Sequence, residues 1–184
     1  LKGVSSVDFF EAVEKRHSYR GPFKNVTVSG KDIVRIVESG LKAPSGKNGQ
    51  TTTFVIVDEP GLVKKIGQMH PVNKAMQQAK VFIACVVDKN PESVYEGCSF
   101  QIEDCSAAVQ NMLLSITVLG YASVWIDGWL RVEGRAQVID KLLGIPEEKT
   151  IRVLLPIGVP AEDVCPKEKK PFEQRAWFNK FGVL

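Results

Sequence analysis

The chain has 184 residues, of which 44% are hydrophobic and 24% charged, with a formal net charge of +3. This describes one globular domain with a core of its own, and no apolar run reaches the length that spans a bilayer. The positive charge is mild and spread out except near Lys15 to Arg20 and Lys167 to Lys170, which argues against nucleic acid as a partner.

In chain order, Val7, Phe10, Val13 and Glu14 follow helical spacing, with Ser5 and Asp8 as cap and cap partner. That helix runs into "KRHSYRG", Lys15 to Gly21, where arginine forks and a serine hydroxyl suit a phosphate, although a solvated helix end has the same composition. Ser29 with Asp32 gives a capping-box pattern for a second helix, whose face is Ile33, Ile36, Val37 and Leu41 and whose end is Ala43-Pro44. "APSGKNGQ" reads as a turn, "TTTFVIVDE" as a buried strand, Pro60 to about Gly67 as a short helix, "HPVNKAMQQAK" as weakly helical, and "VFIACVVD" as another buried strand.

From Glu103 to Leu119 the chain is apolar around nearly the whole circumference of a helix, with Gly120 placed to cap it. Such a helix belongs in the middle of a protein or of a dimer. "YASVWI" and "TIRVLLPIGVP" read as strands on either side of a helix from about Val132 to Leu143. The basic tail from Ala161 to Leu184 carries Trp177, Phe178 and Phe181 but too little pattern to close a core, so it is expected to lie on a partner chain. Cys85, Cys98, Cys105 and Cys165 lack paired spacing, and His17 lies far from His70, so no metal site is expected. Free thiols and the lack of a charged-then-apolar leader suit a soluble, cytoplasmic protein. No G-x-G-x-x-G follows a strand, and a Rossmann site is not expected.

Taken in order, "RHSYR", "APSGKNGQ", "EDCSAAVQNMLLSITVLGYASVWI" and "LLPIGVP" resemble the FMN-dependent nitroreductase family, over nearly the whole chain and with matching spacing. The resemblance implies a single α+β domain over 1–184. Its central sheet is mainly antiparallel and flanked by helices, in an intertwined homodimer whose two FMN sites lie at the interface. The segment from about 161 to 184 is implied to reach over the partner subunit.

By match to the family, Arg16, Ser18 and Arg20, with His17 between them, are implied to hold the FMN phosphate and the polar edge of the flavin. Which arginine does which is left open. Pro44, Ser45, Asn48 and Gln50 match the family's Pro-Ser-Ser-x-Asn-x-Gln loop, which contacts the cofactor from the second subunit; Gly46 stands at the second serine, and "QTT" replaces "QPW". Asn73 matches an asparagine that touches the flavin, with a helix cap as the alternative reading. Asp127 and Gly128 match a strand-end pair whose glycine N–H points at flavin N5. Lys167 and Lys169 match a basic segment closing over the phosphate, with Lys170 the substitute if the register slips.

The implied activity is hydride transfer from NADH or NADPH through FMN to nitroaromatics, quinones or similar electron-poor small molecules, by ping-pong kinetics and with no obligatory catalytic side chain. The alternatives are a non-catalytic flavin-binding or redox-sensing protein, or a specialised flavin enzyme of the same fold.

Overall fold

A four-stranded antiparallel sheet of order β1-β2-β4-β3 carries the fold, with β1 Thr53–Val57, β2 Val81–Asp88, β3 Ala122–Ser123 and β4 Lys149–Gly158. This computed structural model describes residues 8–183. The proposed cap at Ser5 and the position Val7 lie outside that range. Strand β2 is buried along Val81 to Val87 because both of its faces are covered. Its even positions Phe82, Ala84 and Val86 pack into one core with Ile66, Met76 and Ile139, while Val81, Ile83, Cys85 and Val87 pack into another with Ile36, Val109 and Met112. Period-two alternation thus survives in a run that reads as uniformly apolar.

Among the described residues six α-helices surround the sheet: α1 Phe9–Lys15, α2 Gly30–Leu41, α3 Pro60–Gln68, α4 Lys74–Gln77, α5 Gln101–Val118 and α6 Arg135–Leu143. The Asp8 carboxylate caps α1 by accepting from Phe10 N–H at 3.2 Å. Helix α5 ends where expected. Gly120 sits at φ 79°, with Gly120 N–H bonded to Thr117 O and Tyr121 N–H to Ile116 O, the paired bonds of a Schellman ending.

Several expectations need correction. The capping box at Ser29 does not form, because Ser29 makes no side-chain cap. Instead its N–H donates to Tyr121 Oη at 3.3 Å, and that hydroxyl donates to Asp32 at 3.0 Å. Burial is the main cause raising the Tyr121 pKa above its ordinary value, and Asp32 adds to the rise. Helix α6 starts at Arg135 rather than near Val132, since Glu133 and Gly134 both take left-handed φ values, 57° and 66°. Helix α5 is not apolar throughout: Asp104 is buried within it, and Glu103 and Gln110 face outward.

The expected strand "YASVWI" shrinks to Ala122–Ser123 plus one bridge from Ile126 to Leu154, and the cause lies across the ladder. Ile126 and Leu154 exchange both backbone hydrogen bonds, so alternate positions of β4 point their N–H groups at β3. The next such position is Pro156, opposite Val124, and proline has no N–H to give.

Candidate functional site

The chain leaves α1 at Arg16, whose N–H makes the last helical bond to Ala12 O, and then turns inward. Tyr19 is buried, with its N–H bonded to Ser123 O at 2.9 Å, which leaves its neighbours Ser18 and Arg20 exposed on the outer side. Arg16, His17, Ser18 and Arg20 line a cavity of about 300 Å³ together with Val164 to Lys167 and Lys169. Groups more than 140 positions apart in sequence therefore meet there. Lys167 and Lys169 are part of this lining and Lys170 is not.

Among the described residues, none of Arg16, Arg20, Lys167 and Lys169 is paired with a carboxylate. Four cations thus face one cavity without a countercharge, an arrangement that repels itself and favours an anion with several acceptor oxygens. His17 Nδ1 lies 2.9 Å from Lys15 O, and a carbonyl only accepts, so Nδ1 carries the proton. The buried Nε2 is left without a partner. It shares that state with Ser123 Oγ, and both residues line a smaller cavity of about 80 Å³ beside Leu113 and Ile116 of α5.

The loop carrying Pro44, Ser45, Asn48 and Gln50 is built differently. Lys47, Asn48 and Gln50 hold positive φ values of 46°, 56° and 48°, a costly conformation for residues with side chains. Buried Asp104 of α5 fastens both ends, accepting from Gly46 N–H at 2.9 Å and Thr51 Oγ at 2.8 Å. Ser45 Oγ accepts from Gln50 N–H at 3.0 Å and closes the turn from within. Asp104 is a functional candidate that sequence reasoning missed. A Cβ at Gly46 would stand 2.6 Å from the Phe100 ring, so the serine of the resembled pattern has no room here. Pro44, Ser45 and Gln50 line a cavity of about 350 Å³ with Thr52, whose hydroxyl is buried and unpartnered. Asn48 is not among its lining residues.

Asn73, Asp127 and Gly128 form a third group. Asn73 is buried and caps α4, its Oδ1 accepting from Met76 N–H at 3.2 Å, which is the alternative reading of that residue. Its own N–H donates to His70 Nδ1, and the His70 ring stacks on Trp129 at 5.0 Å. Asp127 binds Arg131 through both oxygens and lies 3.2 Å from Arg152, so its carboxylate is committed to the protein. Gly128 is exposed, and a Cβ there would meet nothing within 4 Å. The open face beside its backbone leaves room for a planar ligand.

These parts do not surround one point within a single chain. The basic cluster lies near Ile116 at one end of α5 and the Pro44–Gln50 loop near Asp104 at the other. Twelve helical positions separate them, about 18 Å.

Residues 13–70 and 70–159 match the Nitroreductase family. A protein of Methanothermobacter thermautotrophicus, named as a candidate NADH dehydrogenase/NAD(P)H nitroreductase, is 31% identical over 160 residues, covering 87% of this chain and 81% of its own length. Among solved structures, a candidate NADH dehydrogenase/NAD(P)H nitroreductase of Bacteroides thetaiotaomicron superimposes with a TM-score of 0.80 at 28% identity, over 94% of this chain and 98% of its own. A candidate nitroreductase of Desulfovibrio desulfuricans, solved in complex with FMN, has the same fold, with a TM-score of 0.76 at 24% identity over 94% and 97% of the two chains.

Proposed function

The chain belongs to the nitroreductase family of NAD(P)H-dependent oxidoreductases, and on that premise we propose that it holds FMN in a site completed by a second copy of itself and reduces electron-poor small molecules. FMN, when bound, supplies two-electron hydride chemistry between a nicotinamide and an acceptor. The observation that carries the reading is the cavity edged by Arg16, Arg20, Lys167 and Lys169 without a countercharge. Its donor set fits a terminal phosphate: two guanidinium forks, two ammonium groups and the Ser18 hydroxyl, while the His17 ring spends its N–H on Lys15 O.

In this reading the cluster binds the phosphate and lays positive charge along the cofactor's electron-rich edge, which favours its reduced, more negative state. The loop of Pro44, Ser45, Asn48 and Gln50 comes from the partner, in keeping with the separation of the two parts along α5. Gly128 lets a planar ring lie against the backbone, and Asn73 holds the neighbouring turn through its cap on α4. Phe9 and Phe10, 61% and 71% exposed, and Phe178 and Phe181 in the tail are the apolar surfaces that a second copy would cover. No side chain is required as an acid or base. Donor and acceptor would take turns over one open face, giving ping-pong kinetics with nitroaromatics or quinones.

The test is the purified protein itself. It should be yellow, release FMN rather than FAD on extraction, sediment at twice the chain mass, and bleach anaerobically with NADH or NADPH until an added quinone restores the colour. A protein that neither carries nor takes up FMN overturns the site. One that binds FMN but does not turn over is a flavin carrier instead.

A further inference from the structure

We propose that Tyr19, which lies inside the basic stretch but points away from its cavity, is the clasp that holds the lysine segment over the anion site. This rests on the reading of that cavity as the phosphate site. The Tyr19 ring is 1% exposed and stacks on Phe23 at 5.4 Å, so the hydroxyl has one fixed position. That hydroxyl donates to Pro22 O and accepts from Ala161 N–H at 3.2 Å and Glu162 N–H at 3.4 Å. Ala161 N–H is shared with Pro22 O at 3.0 Å, while Lys24 N–H reaches Val159 O at 2.8 Å.

One phenol therefore joins the turn bearing Arg16, Ser18 and Arg20 to the first residues of the segment that ends at Lys167 and Lys169. From Val164 to Lys169 every residue is exposed, and among the described residues no hydrogen bond or ion pair ties these positions to the body of the protein. Their approach to the cluster is set upstream, at Ala161 and Glu162. Packing around the hydroxyl leaves no slack: a Cβ at Gly21 would stand 2.8 Å from Tyr19 Oη and 2.9 Å from its Cζ. Phe23 is fixed in the same way, since a Cβ at Gly158 would lie 2.5 Å from its ring. Tyr19 is a positioning residue: it acts on the anion through the two lysines.

Two variants test this independently. Tyr19→Phe removes the hydroxyl and keeps the ring, and Gly21→Ala pushes the hydroxyl away while leaving it present. Both should speed amide exchange across 161–169 in the flavin-free protein and raise the FMN dissociation constant about tenfold through faster release, the scale of a lost neutral hydrogen bond or two. In a Tyr19→Phe background, adding Lys167→Ala should cost much less than it does alone, because the lysine is no longer held in place. Unchanged exchange in both variants overturns the clasp. So do fully additive effects of Tyr19→Phe and Lys167→Ala, which would reduce Tyr19 to a core residue. Failure of the unmutated protein to bind FMN would instead strike the site reading, and it would be visible before any variant was made.

Discussion

The basic cluster and the Pro44–Gln50 loop prepare for a ligand in opposite ways. The cluster displays charge: its cations stand unpaired at the surface and depend on Tyr19 and a backbone ladder for their geometry. The loop displays shape: its backbone is held in a left-handed conformation by a buried carboxylate, and its cavity lining has no free charge beyond that committed Asp104. Charge attracts from a distance and weakens in salt, whereas a preformed shape gives little attraction but costs little to order on binding. One site made from both would take an anion at one end and a planar ring at the other.

The largest effect is expected where shape depends on a single group. Asp104→Ala removes the acceptor for Gly46 N–H and Thr51 Oγ, leaves a half-buried N–H unpaired, and lets a strained loop relax. A loss of roughly 2–4 kcal/mol of stability should follow. Asp104→Asn should recover about half, because the amide oxygen can still accept from Gly46. Denaturant unfolding of the flavin-free protein at low and high salt checks both, and the loss should be the same in each. A strong salt dependence would mean that the carboxylate acts by field rather than by its bonds, and the contrast with the cluster would collapse.

The next effect belongs to the cluster and should appear only with ligand. Arg16→Ala or Arg20→Ala should weaken FMN binding by roughly 1.5–3 kcal/mol, the scale of a charge-assisted hydrogen bond, with stability unchanged. Arg16→Lys should recover part, since it keeps the charge and loses the fork. Titrations at two salt concentrations should show the penalty shrinking as salt rises. Equal penalties would place the arginines with the loop, as shape rather than charge.

Legibility followed the same division. The cluster could be read from the chain because five chemically suited residues fall within seven positions, and its link to Lys167 and Lys169 came from family order rather than from any local pattern. Tyr19 sits in the quoted stretch yet gave no signal, since its partners are backbone N–H groups 142 and 143 positions away. Asp104 was hidden for the same reason: its partners lie 58 and 53 positions distant, and a lone carboxylate on an apolar helix looks like a solvated one. Gly46 marks a departure from the family loop that only Phe100, packed against it, explains. The sheet's antiparallel character came with the family resemblance, but the gap in the expected strand at Val124 required knowing which side of β4 Pro156 faces.

His70 decides on which side of the comparison the third group falls. It stacks on Trp129, over which the Arg135 guanidinium also lies, 5.1 Å from the ring, with Glu133 paired to that arginine. Burial first, and the positive charge of Arg135 second, hold the His70 pKa below the ordinary value of 6.5. Its Nδ1 accepts from Val72 and Asn73 N–H, which fits the neutral ring. A base whose pKa is lowered by folding binds more protons when unfolded. Stability should therefore fall as pH drops through 6.5 toward the folded value, and stay level above it. Proton NMR of the His70 ring should give a midpoint below that of an unfolded reference. Arg135→Gln should move the midpoint only part of the way back, because burial is the larger cause and remains. Full recovery would make this group an electrostatic device like the cluster; partial recovery puts it with the loop, held by packing and hydrogen bonds around the Asn73 cap.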